Sequence, residues 1–235
     1  MECINSNELD KSESFERLGN VFNALGDLEK ALEYNLKALE IYQRTLPEGH
    51  PLVASSYIRI GNVYLELGDL EKALEYELKA LEIFEKSLPE GNLIIEELYG
   101  AIGDVYLKLG DPEKMLEFYL KALEILEKNF PEGHPVIASA YGTIGSFYNN
   151  LGNLEKALEY SLKSLEILEK IFPEGHPDIA LSCALIGNIY SNLMDYEKSY
   201  DYLSRAELIL ESDPDKNSEW LSDIQMEIAY VKSKM

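Results

Sequence analysis

Apolar residues fall at helical spacing along the whole chain, and the spacing itself repeats every 42 residues. In one copy, Ile60 and Val63 lie on the apolar face of a helix that ends before Gly68, a residue type suited to the left-handed position after a helix. Asp69 then caps a second amphipathic helix, and Pro89 ends it because the residue before a proline avoids helical geometry. Each copy therefore predicts two helices joined by a short turn.

Five copies of this helix pair follow one another, each with an interior glycine in its first helix. An amphipathic pair cannot bury its apolar face alone, so neighbouring pairs must stack into one array. The connections are only a few residues long, which makes consecutive helices antiparallel. We therefore predict an all-α protein with ten repeat helices, one further helix and no strand. The glycines that mark the copies are Gly19, Gly61, Gly103, Gly145 and Gly187.

The period also predicts three segments. Residues 1–11 are polar and are expected to be frayed, and residues 12–211 hold the five repeats. Residues 212–235 are expected to form a linker and a C-terminal helix that caps the last repeat. The predicted apolar face of this capping helix consists of Trp220, Ile224, Ile228 and Val231.

The copies share Leu18-Gly19, Phe22, Gly26, Ala31 and Ala38, with counterparts one period apart. This set resembles the tetratricopeptide repeat, and the longer period resembles its 42-residue subclass, as in kinesin light chain. The resemblance covers essentially the whole chain. It implies a right-handed superhelical solenoid of antiparallel helix pairs whose concave groove holds a peptide or helix of another protein.

Some residues depart from the repeat pattern. Met115 and Ser199 stand where a small alanine is expected, and Met194 replaces the turn glycine. We expect Met115 to push the third helix pair apart or to adopt a strained rotamer, at about 1–3 kcal/mol. The asparagine that kinesin light chain carries two residues before the signature glycine is missing in all five copies, so its cargo specificity is not transferred to this chain.

The chain is strongly acidic, with 21 basic against 43 acidic residues and a formal net charge of −22. Such a surface repels phosphate backbones and anionic lipid, so nucleic acid and membranes are not expected as partners. Part of the acidity serves solubility. Two distant cysteines and the lack of a signal-peptide pattern at the start predict a cytoplasmic protein.

The residues that could suggest a catalytic or metal site are better explained by structural roles. His50, His134 and His176 occupy one loop position per repeat, where they can cap the next helix but cannot converge on one zinc ion. The segment 213–219 lacks the glycine of a calcium loop, and the bidentate glutamate position falls on Ile224. Cys183 replaces a core aromatic residue and is interpreted as packing. We expect no catalytic residue, no metal and no cofactor.

The candidate ligand-binding residues lie on the first helix of each repeat. In the resembling family, the residue after the signature glycine faces the groove and often bonds the backbone of an extended peptide. An amide suits this role because it both donates and accepts, although a merely solvated polar residue explains the position equally well. The predicted groove residues are Asn20, Asn62, Asp104, Ser146, Asn188, Glu16, Glu66, Asn149 and Asn192.

These patterns favour a non-catalytic scaffold that binds a protein or peptide in its groove. Acidic residues gather in repeats one to three, whereas the groove of repeats four and five is neutral. We therefore expect a ligand with a basic stretch over the first part and an extended or apolar stretch over the second. The alternative is a self-associating structural array through the end repeats, which would make the protein a homo-oligomer. Similar repeats present similar end surfaces, and a head-to-tail contact that does not close makes open chains.

Overall fold

The computed structural model describes residues 6–212 and 214–235, with side chains described for 7–212 and 219–235. Within these residues the protein forms eleven helices and no strand, as the sequence predicts. The helices are α1 (Ser6–Ala24), α2 (Leu28–Thr45), α3 (Pro51–Leu67), α4 (Leu70–Ser87), α5 (Leu93–Leu109), α6 (Pro112–Asn129), α7 (Pro135–Asn150), α8 (Leu154–Ile171), α9 (Pro177–Asn192), α10 (Tyr196–Leu210) and α11 (Pro214–Lys232).

The helix caps follow the prediction. Asp69 Oδ1 accepts a hydrogen bond from the backbone N–H of Lys72 at 3.2 Å, which satisfies one of the unpaired donors at the start of α4. His50 Nδ1 accepts from the N–H of Leu52 at 3.2 Å, and Asn92 plays the same part before α5. The equivalent acceptors are Asp27, Asp111, His134, Asn153, His176 and Asp195.

The turn inside each pair requires a left-handed residue. Gly68 has φ 79° and Gly110 has φ 76°. Met194 holds the corresponding place with φ 62°, and it is the one non-glycine residue with positive φ in the described part of the chain. The turn geometry is therefore kept even where its usual residue is absent.

The chain divides into two compact units, Met1–Ile125 and Leu126–Met235. Within unit 1, α1 packs on α2 and α3 on α4, and each pair contacts the next helix in sequence. Within unit 2, α7 packs on α8, α9 on α10, and α11 on α10. Part of the core of unit 1 consists of Ala38, Leu39, Tyr42, Val53 and Ile60.

The repeated interior glycine lies where the two helices of a pair approach most closely. A Cβ on Gly61 would lie 3.3 Å from the Ala73 carbonyl oxygen, and one on Gly145 would lie 3.2 Å from that of Ala157. In the third repeat the approach is wider, because a Cβ on Gly103 would lie 3.5 Å from the Met115 carbonyl oxygen. Met115 itself is fully buried.

Both ends differ in part from the expectation. α1 begins at Ser6, so residues 6–11 are helical rather than frayed, and residues 1–5 lie outside the described part. At the other end, α11 packs on α10 through the buried Ile224, Ile228 and Val231. Trp220 was expected on this face but is 45% exposed, and among the described side chains of α11 the first buried one is Ile224.

Candidate functional site

The residue after each repeated glycine lies on a first helix and is exposed in unit 1 but half-buried in unit 2. In unit 1, Asn20, Asn62 and Asp104 are exposed on α1, α3 and α5, and we call this the odd-helix face of unit 1. In unit 2, Ser146 on α7 and Asn188 on α9 are half-buried, and with Asn149 and Asn192 they belong to the odd-helix face of unit 2. Each unit therefore presents predicted groove residues on its odd-numbered helices.

Glu16 is not a free carboxylate. Its Oε1 accepts from Arg59 Nη1 at 2.7 Å and from Ser56 Oγ at 3.4 Å, so α1 and α3 are joined by a half-buried ion pair. This pairing removes much of the negative charge that the sequence assigns to the start of the groove. Glu16 therefore serves chiefly to hold two repeats together.

Amide side chains make similar links between consecutive first helices. Asn23 Nδ2 donates to Glu66 Oε1 at 3.0 Å in unit 1, and Asn192 Nδ2 donates to Asn149 Oδ1 at 3.0 Å in unit 2. Each pair is separated by 43 residues, one more than the repeat period. Glu66, Asn149 and Asn192 therefore already have partners within the protein.

Asp104 belongs to a polar group in unit 1 that sequence reasoning missed. The Tyr119 hydroxyl donates to Asp104 Oδ1, and burial, together with this bond to Asp104, raises the pKa of Tyr119 above its usual range. Glu77 occupies the position on α4 that Tyr119 occupies on α6, one period earlier. A charged residue on the buried stripe of α4, between Ala73 and Ala80, was the available sequence signal.

Glu77 is only 2% exposed. Its Oε2 has no hydrogen-bond partner among the described residues. Burial and, to a smaller extent, the negative charge of Asp104 raise the pKa of Glu77, Lys108 opposes the shift, and the net result is a pKa of about 7. The carboxyl group therefore titrates near neutral pH inside unit 1.

Unit 2 contains a pocket of about 490 Å³ between α7, α8 and α9. Gly142 leaves room at its edge, since a Cβ there would lie 3.3 Å from Ser164 Oγ. The Ser164 hydroxyl donates to the Ala138 carbonyl oxygen at 2.8 Å, so this polar group is satisfied within the protein. The other lining residues are Pro135, Ser139, Thr143, Ser146, Phe147, Leu168, Phe172, Asp178, Leu181, Ser182 and Leu185.

The pocket includes Ser146 from the predicted groove but not Asn149, Asn188 or Asn192. Its apolar lining comes from all three helices and from the residue after α8: Pro135, Ala138, Phe147, Leu168, Phe172, Leu181 and Leu185. The small residues at Ser139 and Gly142 were the signal in the sequence, because small side chains on a first helix leave space.

The residues considered for metal binding and nucleophilic chemistry can be placed only within the described part of the chain. No group of three His, Cys, Asp or Glu side chains there could hold a metal ion. Residues 213–218 of the calcium-like segment lie outside the described side chains, as does Cys3. Cys183 is fully buried, and burial raises the pKa of its thiol to about 11. None of the helices in the described part is long and apolar enough to cross a membrane.

Consecutive helices pair into hairpins, and the hairpins follow one another along the chain, so this is an all-α hairpin-repeat protein. The tetratricopeptide repeat model matches residues 10–86, 95–170 and 136–211, and the chain belongs to this family. Among curated proteins, no sequence matches it.

Solved structures share the fold at low sequence identity. A candidate kinesin light chain from Podosopora anserina, with nearly identical TPR-like repeats, is 18% identical; the match covers 87% of this chain and 98% of the other, with a TM-score of 0.72. BtubC from P. vanneervenii is 21% identical, with 88% of each chain covered and a TM-score of 0.68. YrrB, described as a TPR protein with an unusual peptide-binding site, is 23% identical, with 93% and 90% covered and a TM-score of 0.59.

Proposed function

We propose that this protein is a non-catalytic scaffold that binds peptide segments of other proteins on its odd-helix faces. The observation that carries the proposal is the pocket of about 490 Å³ in unit 2. Its size and mainly apolar lining suit a bulky apolar side chain of a bound segment, because ligand pockets combine apolar walls with a few polar groups. The peptide-binding site named for YrrB adds weight to a peptide ligand.

The odd-helix face of unit 2 suits an extended segment whose side chain fills this pocket. Ser146 lines the pocket, and the Asn149–Asn192 pair lies on the same face, so polar groups are available near an apolar anchor. Asparagine and serine can both donate to and accept from a peptide backbone. The competing interpretation, in which these residues are only solvated, leaves the pocket as the sole attachment point.

The odd-helix face of unit 1 suits a basic segment. Asn20 and Asn62 are exposed and offer backbone bonds, while Glu97 and Asp104 keep negative charge on α5. On α1, the negative charge of Glu16 is compensated by Arg59, so the uncompensated negative charge of this face lies mainly on α5. We therefore place the preference for basic residues beside α5.

Selection from a displayed library of random peptides tests the proposal. The unmodified protein should enrich peptides with a shared bulky apolar position, and Gly142→Met should weaken their binding at least tenfold by filling the pocket. Gly100→Met is the matched control, because Gly100 stands one period earlier and a Cβ there meets nothing within 4 Å. Failure to enrich any peptide, or an equal loss in both variants, would contradict the proposal.

Self-association is a second candidate function because α1 exposes an apolar stripe. Leu18 is 40% and Val21 53% exposed, whereas their counterparts Ile60 and Val63 are buried against neighbouring helices. The buried apolar stripe of α11, formed by Ile224, Ile228 and Val231, is already packed on α10. We therefore place the contact on α1 of two copies, which would form a closed dimer.

Sedimentation velocity over a range of concentrations tests this second candidate. Val21→Glu should shift a dimer to the monomer. Leu208→Glu is the control because Leu208 is an exposed apolar residue on α10, 71% exposed against 53% for Val21. A monomer at all concentrations, or dissociation by both variants, would rule out a dimer formed through α1.

A further inference from the structure

One acidic residue, Asp178, lines the otherwise uncharged pocket of unit 2. The inner wall of the pocket is buried, with Ser164 3% and Leu168 8% exposed. The side chain of Asp178, near the start of α9, is 54% exposed. Its carboxylate is therefore accessible from solvent at the edge of the pocket, where a ligand that fills the pocket must leave it.

The charge of Asp178 is not neutralised within the described part of the chain. His176 Nδ1 lies 3.8 Å from Asp178 Oδ2, but the same Nδ1 accepts a hydrogen bond from the backbone N–H of Asp178 at 3.2 Å. A ring nitrogen that accepts a hydrogen bond carries no proton, so it cannot donate one to the carboxylate. No lysine or arginine among the described residues pairs with Asp178. The carboxylate therefore remains available to a cation from outside.

A charge at this place is an exception among the repeats. Asp178 is the second residue of α9, and the second residues of α3, α5 and α7 are the apolar Leu52, Ile94 and Val136. A negative charge in the first turn of a helix is favourable. Three equivalent helices nevertheless begin without one, so the fold does not require Asp178 to be acidic.

We propose that the pocket of unit 2 binds a bulky apolar side chain with a positively charged group beside it, and that Asp178 selects this charge. The inference rests on the proposed peptide-binding function and adds a charge preference to the odd-helix face of unit 2. The cation is either a lysine or arginine next to the apolar residue, or the α-ammonium group of a peptide that begins with it.

An organic cation fits this edge of the pocket better than an anion or a metal ion. The net charge of −22 and the carboxylate of Asp178 both repel an anion. A calcium ion takes six to eight oxygen ligands, whereas the pocket offers one carboxylate. Because an exposed ion pair contributes modestly, we expect the cation to strengthen binding about threefold to fivefold. An uncharged peptide still fills the pocket, with lower affinity.

The test uses synthetic versions of a peptide that is enriched from the displayed library and lost in Gly142→Met. One version is acetylated and carries glutamine beside the apolar residue, a second carries lysine there, and a third carries glutamate. A fourth begins with the apolar residue and has a free α-amino group. Fluorescence anisotropy at low salt measures each affinity. The lysine version, the free-amine version or both should bind the unmodified protein about threefold to fivefold more tightly than the glutamine version.

Substitution of Asp178 should remove or reverse this preference. Asp178→Asn should bind all versions about equally, and Asp178→Lys should favour the glutamate version. Glu155→Gln and Glu155→Lys are the matched controls and should keep the preference for a cation. Glu155 is an exposed acidic residue in unit 2 and the second residue of α8, but it does not line the pocket.

The outcomes separate this inference from the proposed function. Enrichment of no peptide overturns both. Equal affinity for charged and uncharged versions, or an unchanged preference in Asp178→Asn, overturns the role of Asp178 and leaves peptide binding standing. Loss of the glutamine version in Asp178→Asn also overturns it, because Asp178 would then support the structure of the pocket. A gain that depends on Asp178 supports the inference, and the version that shows it identifies the source of the cation.

Discussion

Arg59 Nη1 lies 2.7 Å from Glu16 Oε1, and this ion pair joins the first helices of two consecutive repeats in unit 1. The Glu16 side chain is 12% exposed and that of Arg59 30% exposed, so solvent screens the pair only in part. Removing one partner of such a pair leaves the other charge poorly solvated. The link is therefore expected to matter for stability.

Arg59→Met should lower the free energy of unfolding by about 1–3 kcal/mol, because Glu16 would keep its charge without its ion-pair partner. Arg17→Met is the control: Arg17 is 3.9 Å from Glu13, both side chains are well exposed, and the loss should stay within about 0.5 kcal/mol. Urea unfolding measures both. Equal effects would mean that the Glu16–Arg59 pair is no stronger than a surface pair.

The links between repeats show what the sequence could and could not predict. Caps such as Asp69 and the turn glycine Gly68 depend on neighbours in sequence, so the local pattern predicts them correctly. The bond from Asn23 to Glu66 depends on how two helices from different repeats lie beside each other, and a single period does not give this register. Glu77 was missed for the same reason, because its burial is set by α3 and α5 as well as by its own helix.

Glu77 should make stability depend on pH. Its folded-state pKa of about 7 lies above its ordinary value of 4.5, so the folded state holds the proton more tightly than the unfolded state. The stabilisation is complete below pH 4.5 and is lost as pH rises through 7. Glu77→Gln should remove this loss. Between pH 4.5 and pH 8, the free energy of unfolding of Glu77→Gln relative to that of the unmodified protein should rise by about 3 kcal/mol.

Urea unfolding between pH 4.5 and 8 measures this difference, with Glu97→Gln as the control for removal of one exposed charge. The difference between the unmodified protein and Glu77→Gln should widen with pH, and that for Glu97→Gln should change little. A constant difference for Glu77→Gln would mean that Glu77 ionises normally in the folded protein.

Two of the repeated glycines should respond in opposite ways to alanine. A Cβ on Gly103 meets its nearest atoms at 3.5 Å, so Gly103→Ala should gain up to about 1 kcal/mol from helix propensity. A Cβ on Gly145 would lie 2.4 Å from Ser161 Oγ and 3.1 Å from Ser161 N, so Gly145→Ala should lose about 1–3 kcal/mol. Denaturant unfolding distinguishes the two. The same sign for both would contradict the difference in helix spacing.

Met115→Ala separates the sequence expectation from the structural one. The sequence suggests strain, and relief of strain would raise stability. In the structure Met115 is fully buried and the helices are spaced to receive it, so alanine would leave a cavity. We expect a loss of about 2–4 kcal/mol. If Met115→Ala instead raised the free energy of unfolding, Met115 would be strained in the folded protein.

Salt should distinguish the ligands of the two units. The net charge of −22 and the carboxylates beside α5 attract a basic peptide, and this attraction acts over a Debye length of about 8 Å at physiological ionic strength. For a basic peptide, the association rate should fall as salt is added, while the dissociation rate should change less. An uncharged peptide anchored in the unit 2 pocket should show neither effect. Stopped-flow fluorescence measures the rates. If the rates of the two peptides depended equally on salt, charge would not contribute to peptide recognition by unit 1.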